Sequence, residues 1–189
     1  QEKNIGLDKE QVTFFTSDGN FRKNYESFNN TLLTNPNIKS VSMASNVPVS
    51  VGSAHGIQTG PTSDDYELIY FLSADKEFME MMGMELLSGL SIKDRAVPYD
   101  YLAPSGLNPT YVINEAAAKL FNWSAEEAVG QNLIIGGYEG PVQAVVKDFH
   151  FKSMQQRIEP FVILYNPSQT SVGYVKLEAK DLSKTLQFI

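Results

Sequence analysis

The sequence contains no cysteine, which removes disulfides, thiol nucleophiles and cysteine-based zinc sites. Its two histidines, His55 and His150, stand far apart, so a histidine-rich metal centre is excluded. No apolar run approaches the ~18 residues that cross a bilayer, and none is longer than Phe161–Tyr165. The stretch Gln1–Glu10 is polar and lacks the pattern of a signal peptide. Basic residues are in the minority, 15 Lys and Arg against 22 Asp and Glu, for a net charge of −7. That balance argues against a nucleic-acid surface, whose phosphates demand lysine and arginine, and against adhesion to anionic lipid.

What is present is enough for a core. The chain has 189 residues, 42% of them hydrophobic, which suits one domain or two small intertwined ones. Residues 10–16 read as a strand. Phe21, Tyr25, Phe28 and Leu32 then mark one face of a helix, with Ser17 or Asp18 as its cap and Asn35-Pro36 as its stop. Residues 38–47 alternate as a second strand, completing a β-α-β unit. A Gly/Ser/Pro-rich stretch, 48–65, reads as mostly loop with a short strand near His55–Thr59. A strand at 66–72 precedes a short helix over 74–82, with Asp75 and Glu77 in its first turn and Gly83 just past its end. Residues 84–87 suggest another strand, and 88–109 a long surface excursion. Asn114 caps a helix over 115–121, and Ser124 with Glu127 has the spacing of a capping box. Strands follow at 132–135, 141–147, 160–165 and 172–178. Asp181 would cap a last helix carrying Leu182, Leu186 and Ile189. That helix has run barely two turns when the sequence stops, and a β-α unit usually returns with another strand. The reading therefore expects the natural protein to continue past Ile189.

Few groupings suggest chemistry. Asp148 and His150 could form the acid–imidazole part of a catalytic triad, but nothing beside them is a nucleophile, and a structural role outweighs that reading. His55, in Ser53-Ala-His-Gly56, reads as an exposed loop histidine. Gly136-Gly-Tyr-Glu-Gly140 lacks the Lys-Ser/Thr of a phosphate loop and reads as a turn. The acidic run at Asp64, Asp65 and Glu67 lacks calcium-loop spacing. Phe78, Met79, Met81 and Met82 read as core rather than as an adaptable binding face. Composition and spacing thus give an acidic mixed α/β domain with long loops, no active site and no cofactor.

One segment, Gln143–Ile163 (QAVVKDFHFKSMQQRIEPFVI), is similar to a motif in the periplasmic domains of MacB/FtsX-type ABC transporter permeases, particularly those of Bacteroidetes bacteria. The matching residues are Val145, Val146, Lys147, Asp148, Phe149, His150, Phe151, Ser153, Ile158 and Pro160; the family's glycine is Ala144 here. Phe28…Leu32…Pro36…Ile38…Val41-Ser-Met-Ala-Ser45…Pro48 resembles another stretch of that family. So do Phe78-Met-Glu-Met-Met-Gly83 with Leu86-Leu-Ser-Gly89, Val112-Ile-Asn-Glu115 and Val129-Gly-Gln131. The family's arginine after Gly89 is Leu90.

The resemblance implies an α+β fold in which a porter-like subdomain of β-α-β units, 8–82 plus 157–189, is split by an inserted, mostly-β subdomain, 83–156. It implies a non-catalytic periplasmic domain of a bacterial inner-membrane protein that transmits ATP-driven motion to substrates or partners outside the cytoplasm. The expected partners are the permease's own transmembrane helices and a cytoplasmic ATPase, with a periplasmic adaptor, lipoprotein or peptide beyond them. The full-length protein would be a homodimer and the isolated domain a monomer. Lys147, Asp148, Phe149, His150 and Phe151 would be a structural connector: Phe149 or Phe151 buried, Asp148 accepting N–H bonds within a turn. Tyr99, Asp100 and Tyr101 are the candidate partner-binding loop, because tyrosine offers broad contact area at low entropy cost. The alternatives are a membrane-anchored ligand-binding sensor domain and, less favoured, a hydrolase using Asp148 and His150.

Overall fold

The computed structural model describes residues 11–16, 24–47, 54–58, 66–94, 109–150 and 157–189. The strands are β1 (Val12–Thr16), β2 (Ile38–Ala44), β3 (Ala54–Gln58), β4 (Tyr66–Ala74), β5 (Leu86–Gly89), β6 (Tyr111–Asn114), β7 (Asn132–Ile135), β8 (Tyr138–Val146), β9 (Phe161–Tyr165) and β10 (Val172–Leu177). The helices are α1 (Tyr25–Leu32), α2 (Phe78–Met81), α3 (Glu115–Leu120), α4 (Ala125–Ala128) and α5 (Leu182–Phe188). The fold is α+β. The strands hydrogen-bond in the order β1-β10-β2-β4-β9-β6-β8-β5, with β3 added to β4 and β7 to β8.

The most apolar strand lies where the sheet is covered on both sides. All five residues of β9 are buried; it runs parallel to β4 on one side and antiparallel to β6 on the other. Three cores follow. Tyr25 and Leu32 of α1 pack on Val41, Met43, Val175 and Leu177. Phe78, Met79 and Met81 of α2 pack on Ala44, Tyr174 and Phe161, so the methionine-rich helix is core. Ala117, Ala118 and Ala128 of α3 and α4 pack with Ile113, Val145 and Val162. Successive residues of a strand point to opposite faces, so α1 and α2 grip β2 and β10 from opposite sides.

Local signals set several boundaries. Asn114 Oδ1 accepts from Ala117 N at 3.0 Å and caps α3. Ser124 and Glu127 complete their reciprocal capping box at α4. Gly136 (φ +60°) and Gly137 (φ +85°) join β7 to β8 in a two-residue hairpin, the connection that needs positive φ at both positions.

Four expectations need correction. Helix α2 starts at Phe78, not near Ala74, because Asp75 is held by β2 instead of opening the helix. His55 is not an exposed loop residue: it lies half-buried on β3, edge-on to Phe71 with ring centroids 4.7 Å apart. Asp181 does not cap α5 with its side chain; it sits at φ +56°, and its carbonyl accepts from Thr185 N. The buried side chain of α5 is Thr185, while Leu182 and Leu186 are exposed. Described α1 begins at Tyr25, and the proposed caps Ser17 and Asp18, with Phe21, lie outside the described residues.

Candidate functional site

The described residues after β8 contact two other elements of the fold. Phe149 is buried, with its ring edge-on to Phe161 at 5.2 Å. Asp148 Oδ1 accepts from Ala116 N at 2.8 Å, and Asp148 N donates to Glu115 Oε2 at 3.0 Å. The bond expected within a local turn therefore crosses 32 residues and fastens the first turn of α3. Burial raises the Asp148 carboxyl above its usual range and the Glu115 charge adds to this; the Ala116 N–H opposes it, as do the Lys119 and His150 charges to a smaller degree. Lys147 pairs with Glu85 at 3.1 Å on the surface, where ion pairs contribute little. Asp148 is thus engaged with a helix terminus, a role that does not require His150 as its partner. Phe151 and the loop residues Tyr99, Asp100 and Tyr101 lie outside the described residues.

A second arrangement escaped the sequence reading. Asp75, just past β4, is buried. Its Oδ1 accepts from Ser42 Oγ at 2.6 Å and Glu77 N at 3.1 Å. Its Oδ2 accepts from Tyr25 Oη at 2.7 Å and Met43 N at 2.9 Å. One carboxyl group thereby joins α1, β2 and the entry to α2. Burial pushes its pKa up to about 6, against the lowering pull of Ser42, Tyr25, Met43 and Glu77. The sequence did carry one signal, a serine at an inward position of β2, but not the partner it meets.

Beyond Asp75 lies a groove of about 480 Å³ between α1 and α2. Asn29 of α1 and Leu33 just past its end line it, with Glu77 at the start of α2 and Glu80 within that helix. Lys39 and Val41 of β2 form its floor, with Lys93 and Lys176 at its margins. Lys93 binds Glu80 at 2.8 Å and Glu77 at 2.9 Å, and both bonds raise the affinity of its ammonium for its proton. Lys176 Nζ donates to Met81 O at 3.1 Å, at the C-terminal end of α2. Among the described residues, no group of three or more His, Asp or Glu is placed to hold a metal. No described helix is long and apolar enough to cross a membrane.

Solved structures share this fold over most of the chain. The periplasmic region of MacB from Actinobacillus actinomycetemcomitans superposes with a TM-score of 0.53 at 20% identity, over 98% of this chain and 83% of that one. This chain has the MacB periplasmic fold. The extracellular domain of the noncanonical ABC-type transporter YknZ from Gram-positive bacteria matches with a TM-score of 0.53 at 14% identity, over 92% of this chain and 86% of that one. A domain of a putative permease from Porphyromonas gingivalis matches with a TM-score of 0.51 at 15% identity, over 89% of this chain and 74% of that one. No family model matches the chain, and no curated protein matches its sequence. At these identities the MacB-type likeness is one of fold.

Proposed function

We propose that this chain is the extracytoplasmic domain of an ABC transporter permease. In this reading it stands outside the cytoplasmic membrane, catalyses no reaction, and passes motion driven by ATP hydrolysis on the other side to substrates or partners. The observation that carries the reading is the MacB-type fold over 98% of the chain, repeated in the YknZ domain and the putative permease. A sheet continuous from β1 to β5 suits the task, because hydrogen-bonded strands move as a unit. The porter-like part would comprise 8–82 with 157–189 and the inserted part 83–156. The seam between them would then be the antiparallel pairing of β9 with β6. Its partners would be the permease's transmembrane helices and a cytoplasmic ATPase. The permease would be a homodimer and the isolated domain a monomer. Tyr99, Asp100 and Tyr101 would serve as a contact for a periplasmic adaptor, lipoprotein or peptide.

These 189 residues contain no cysteine, so a label introduced here meets no competing thiol within the domain. A single Cys in place of exposed Glu67, or of exposed Glu126, carries a spin label in the full-length permease assembled with its ATPase. The distance between the two protomers' labels should change between the nucleotide-free and ATP-bound states. An identical distance in both states would eliminate force transmission. Failure of the full-length protein to assemble with any ATPase would eliminate the permease reading itself.

A further inference from the structure

The main sheet narrows at one joint. Its other neighbouring strands are paired over three or more residues, and strands so joined move together. Strands β2 and β4 share a single pair, Ala44 with Ala74. Two main-chain bonds flank it, from Ser45 N to Ser73 O at 2.8 Å and from Asp75 N to Met43 O at 3.0 Å. Ser73 N also donates to Ser45 Oγ at 3.1 Å. Beyond this joint the two strands part. Strand β2 runs on beside β10 and β1 with α1 packed on them, whereas β4 gives way to α2. The groove between α1 and α2 occupies the space where they diverge.

Each side of the groove balances its own charge. Lys39 of β2 pairs with Glu178, just past β10, at 3.1 Å. Lys93 pairs with Glu77 and Glu80 on the α2 side. The Asp75 carboxyl group, in contrast, reaches across the joint. Three of its donors, Tyr25 Oη, Ser42 Oγ and Met43 N, belong to the β2 side. The fourth, Glu77 N, belongs to its own side. A hydroxyl can donate or accept, so Tyr25 and Ser42 can serve this group ionised or protonated.

We infer that the sheet hinges at Ala44 and Ala74, and that the Asp75 carboxyl group is the latch holding β1, β10, β2 and α1 closed against the rest of the domain. Opening breaks the bonds across the joint together, widens the groove and returns Asp75 to water. Burial pushes the Asp75 pKa up to about 6, against the pull of its four donors, from an ordinary value of 3.8. The closed form therefore holds the proton more tightly than the open one, and opening becomes easier as pH rises. The titratable groups on the surrounding elements are Tyr25 of α1, Lys39 of β2, Tyr174 and Lys176 of β10, and Glu77, Glu80 and Lys93 on the α2 side. Tyr25 acts on Asp75 through its hydrogen bond, and none of the others contributes a charge to the shift. The inference rests on strand pairing and not on the transporter reading, so the two fail separately.

The test is native-state amide exchange of the ¹⁵N-labelled 189-residue chain. The amides of Met43, Ser45, Ser73 and Asp75 report the joint, because each donates across it. Val175 of β10 and Ile163 of β9 are the controls, since both strands are paired along both edges. The four amides should share one protection factor, at least about tenfold below both controls, because a single opening exposes them together. That factor should fall roughly tenfold from pH 5 to pH 7 in the wild type and stay level in Asp75→Asn, which cannot titrate. Tyr25→Phe removes one latch bond and serves if Asp75→Asn does not fold; it should lower the common factor at least about tenfold. Protection equal to that of the controls, four unrelated factors, or a pH effect that survives Asp75→Asn would overturn the inference. So would unchanged protection in Tyr25→Phe.

Discussion

The hydroxyl of Tyr25 donates to Oδ2 of Asp75 at 2.7 Å across 50 residues of sequence, and both groups are buried. Through this bond α1 is tied to the point where β4 ends and α2 begins. A carboxyl group inside a core is tolerable only when its oxygens are fully engaged, and here four donors engage them. Tyr25→Phe keeps the ring and removes one donor. It should cost about 1.5–3 kcal/mol by urea titration, the range for a hydrogen bond to a charged group. Ser42→Ala should cost a similar amount. The double variant should cost less than the sum, because the weakened carboxylate takes a proton instead. Strict additivity would show that the two hydroxyls act independently of Asp75.

The same carboxyl group predicts a pH dependence with a definite sign. Its native pKa, about 6, lies above the ordinary carboxyl value of 3.8. The folded state therefore binds the proton more tightly than the unfolded state, so this group's contribution is most favourable at low pH. It is lost as pH rises from about 4 to about 6, by roughly 3 kcal/mol for a shift of about two units. Asp75→Asn removes the titration. The stability difference between wild type and Asp75→Asn should then move in favour of wild type on going from pH 7 to pH 4.5, read from urea midpoints. A difference that stays flat over this window would show that the four donors hold the carboxyl at its ordinary pKa.

At the other junction, Phe149→Ala should cost about 3–5 kcal/mol, since it empties a buried aromatic site against Phe161. Phe149→Leu should recover much of that loss by filling volume. Denaturant titration of both variants checks the ranking, and equal stability of Phe149→Ala and wild type would defeat the connector role.

How far these features could be seen in the sequence depends on the distance over which each is determined. The caps at Asn114 and Ser124 were legible because donor and acceptor lie three residues apart. A turn at Gly136 was legible because its backbone demand falls on the glycines themselves, but the five-residue turn read at 136–140 is a two-residue hairpin, since β8 already starts at Tyr138. Burial of β9 followed from its unbroken apolar run. The Asp75 pin was not legible, because its partners Ser42 and Tyr25 are 33 and 50 residues away and each alone reads as ordinary. The short strand at His55 was legible, but the exposed-loop reading of its side chain failed because the packing partner, Phe71, lies on the neighbouring β4. The β2 groove exists only because β4 turns off after Ala74, a fact of topology that no local pattern records.

Asn114 offers the sharpest test of how the two halves of the sheet are held together. It is fully buried, and its amide does three things at once. Oδ1 accepts from Ala117 N at 3.0 Å and from Phe161 N at 2.9 Å, while Nδ2 donates to Glu159 O at 3.0 Å. It therefore caps α3 and also fastens the start of β9 to the end of β6. Asn114→Ser keeps an oxygen able to cap α3, but it is too short to serve Phe161 N and Glu159 O as well. Asn114→Ala keeps neither. The cap is worth about 1 kcal/mol, and stranding a buried N–H about 1–3 kcal/mol more. Stability should fall in the order wild type, Asn114→Ser, Asn114→Ala. Amide exchange at Phe161 should be fast in both variants, but exchange at Ala117 only in the alanine variant. If Asn114→Ser matched wild type in stability and in Phe161 exchange, the amide would be a helix cap and nothing more, and the seam between β6 and β9 would rest on strand pairing alone.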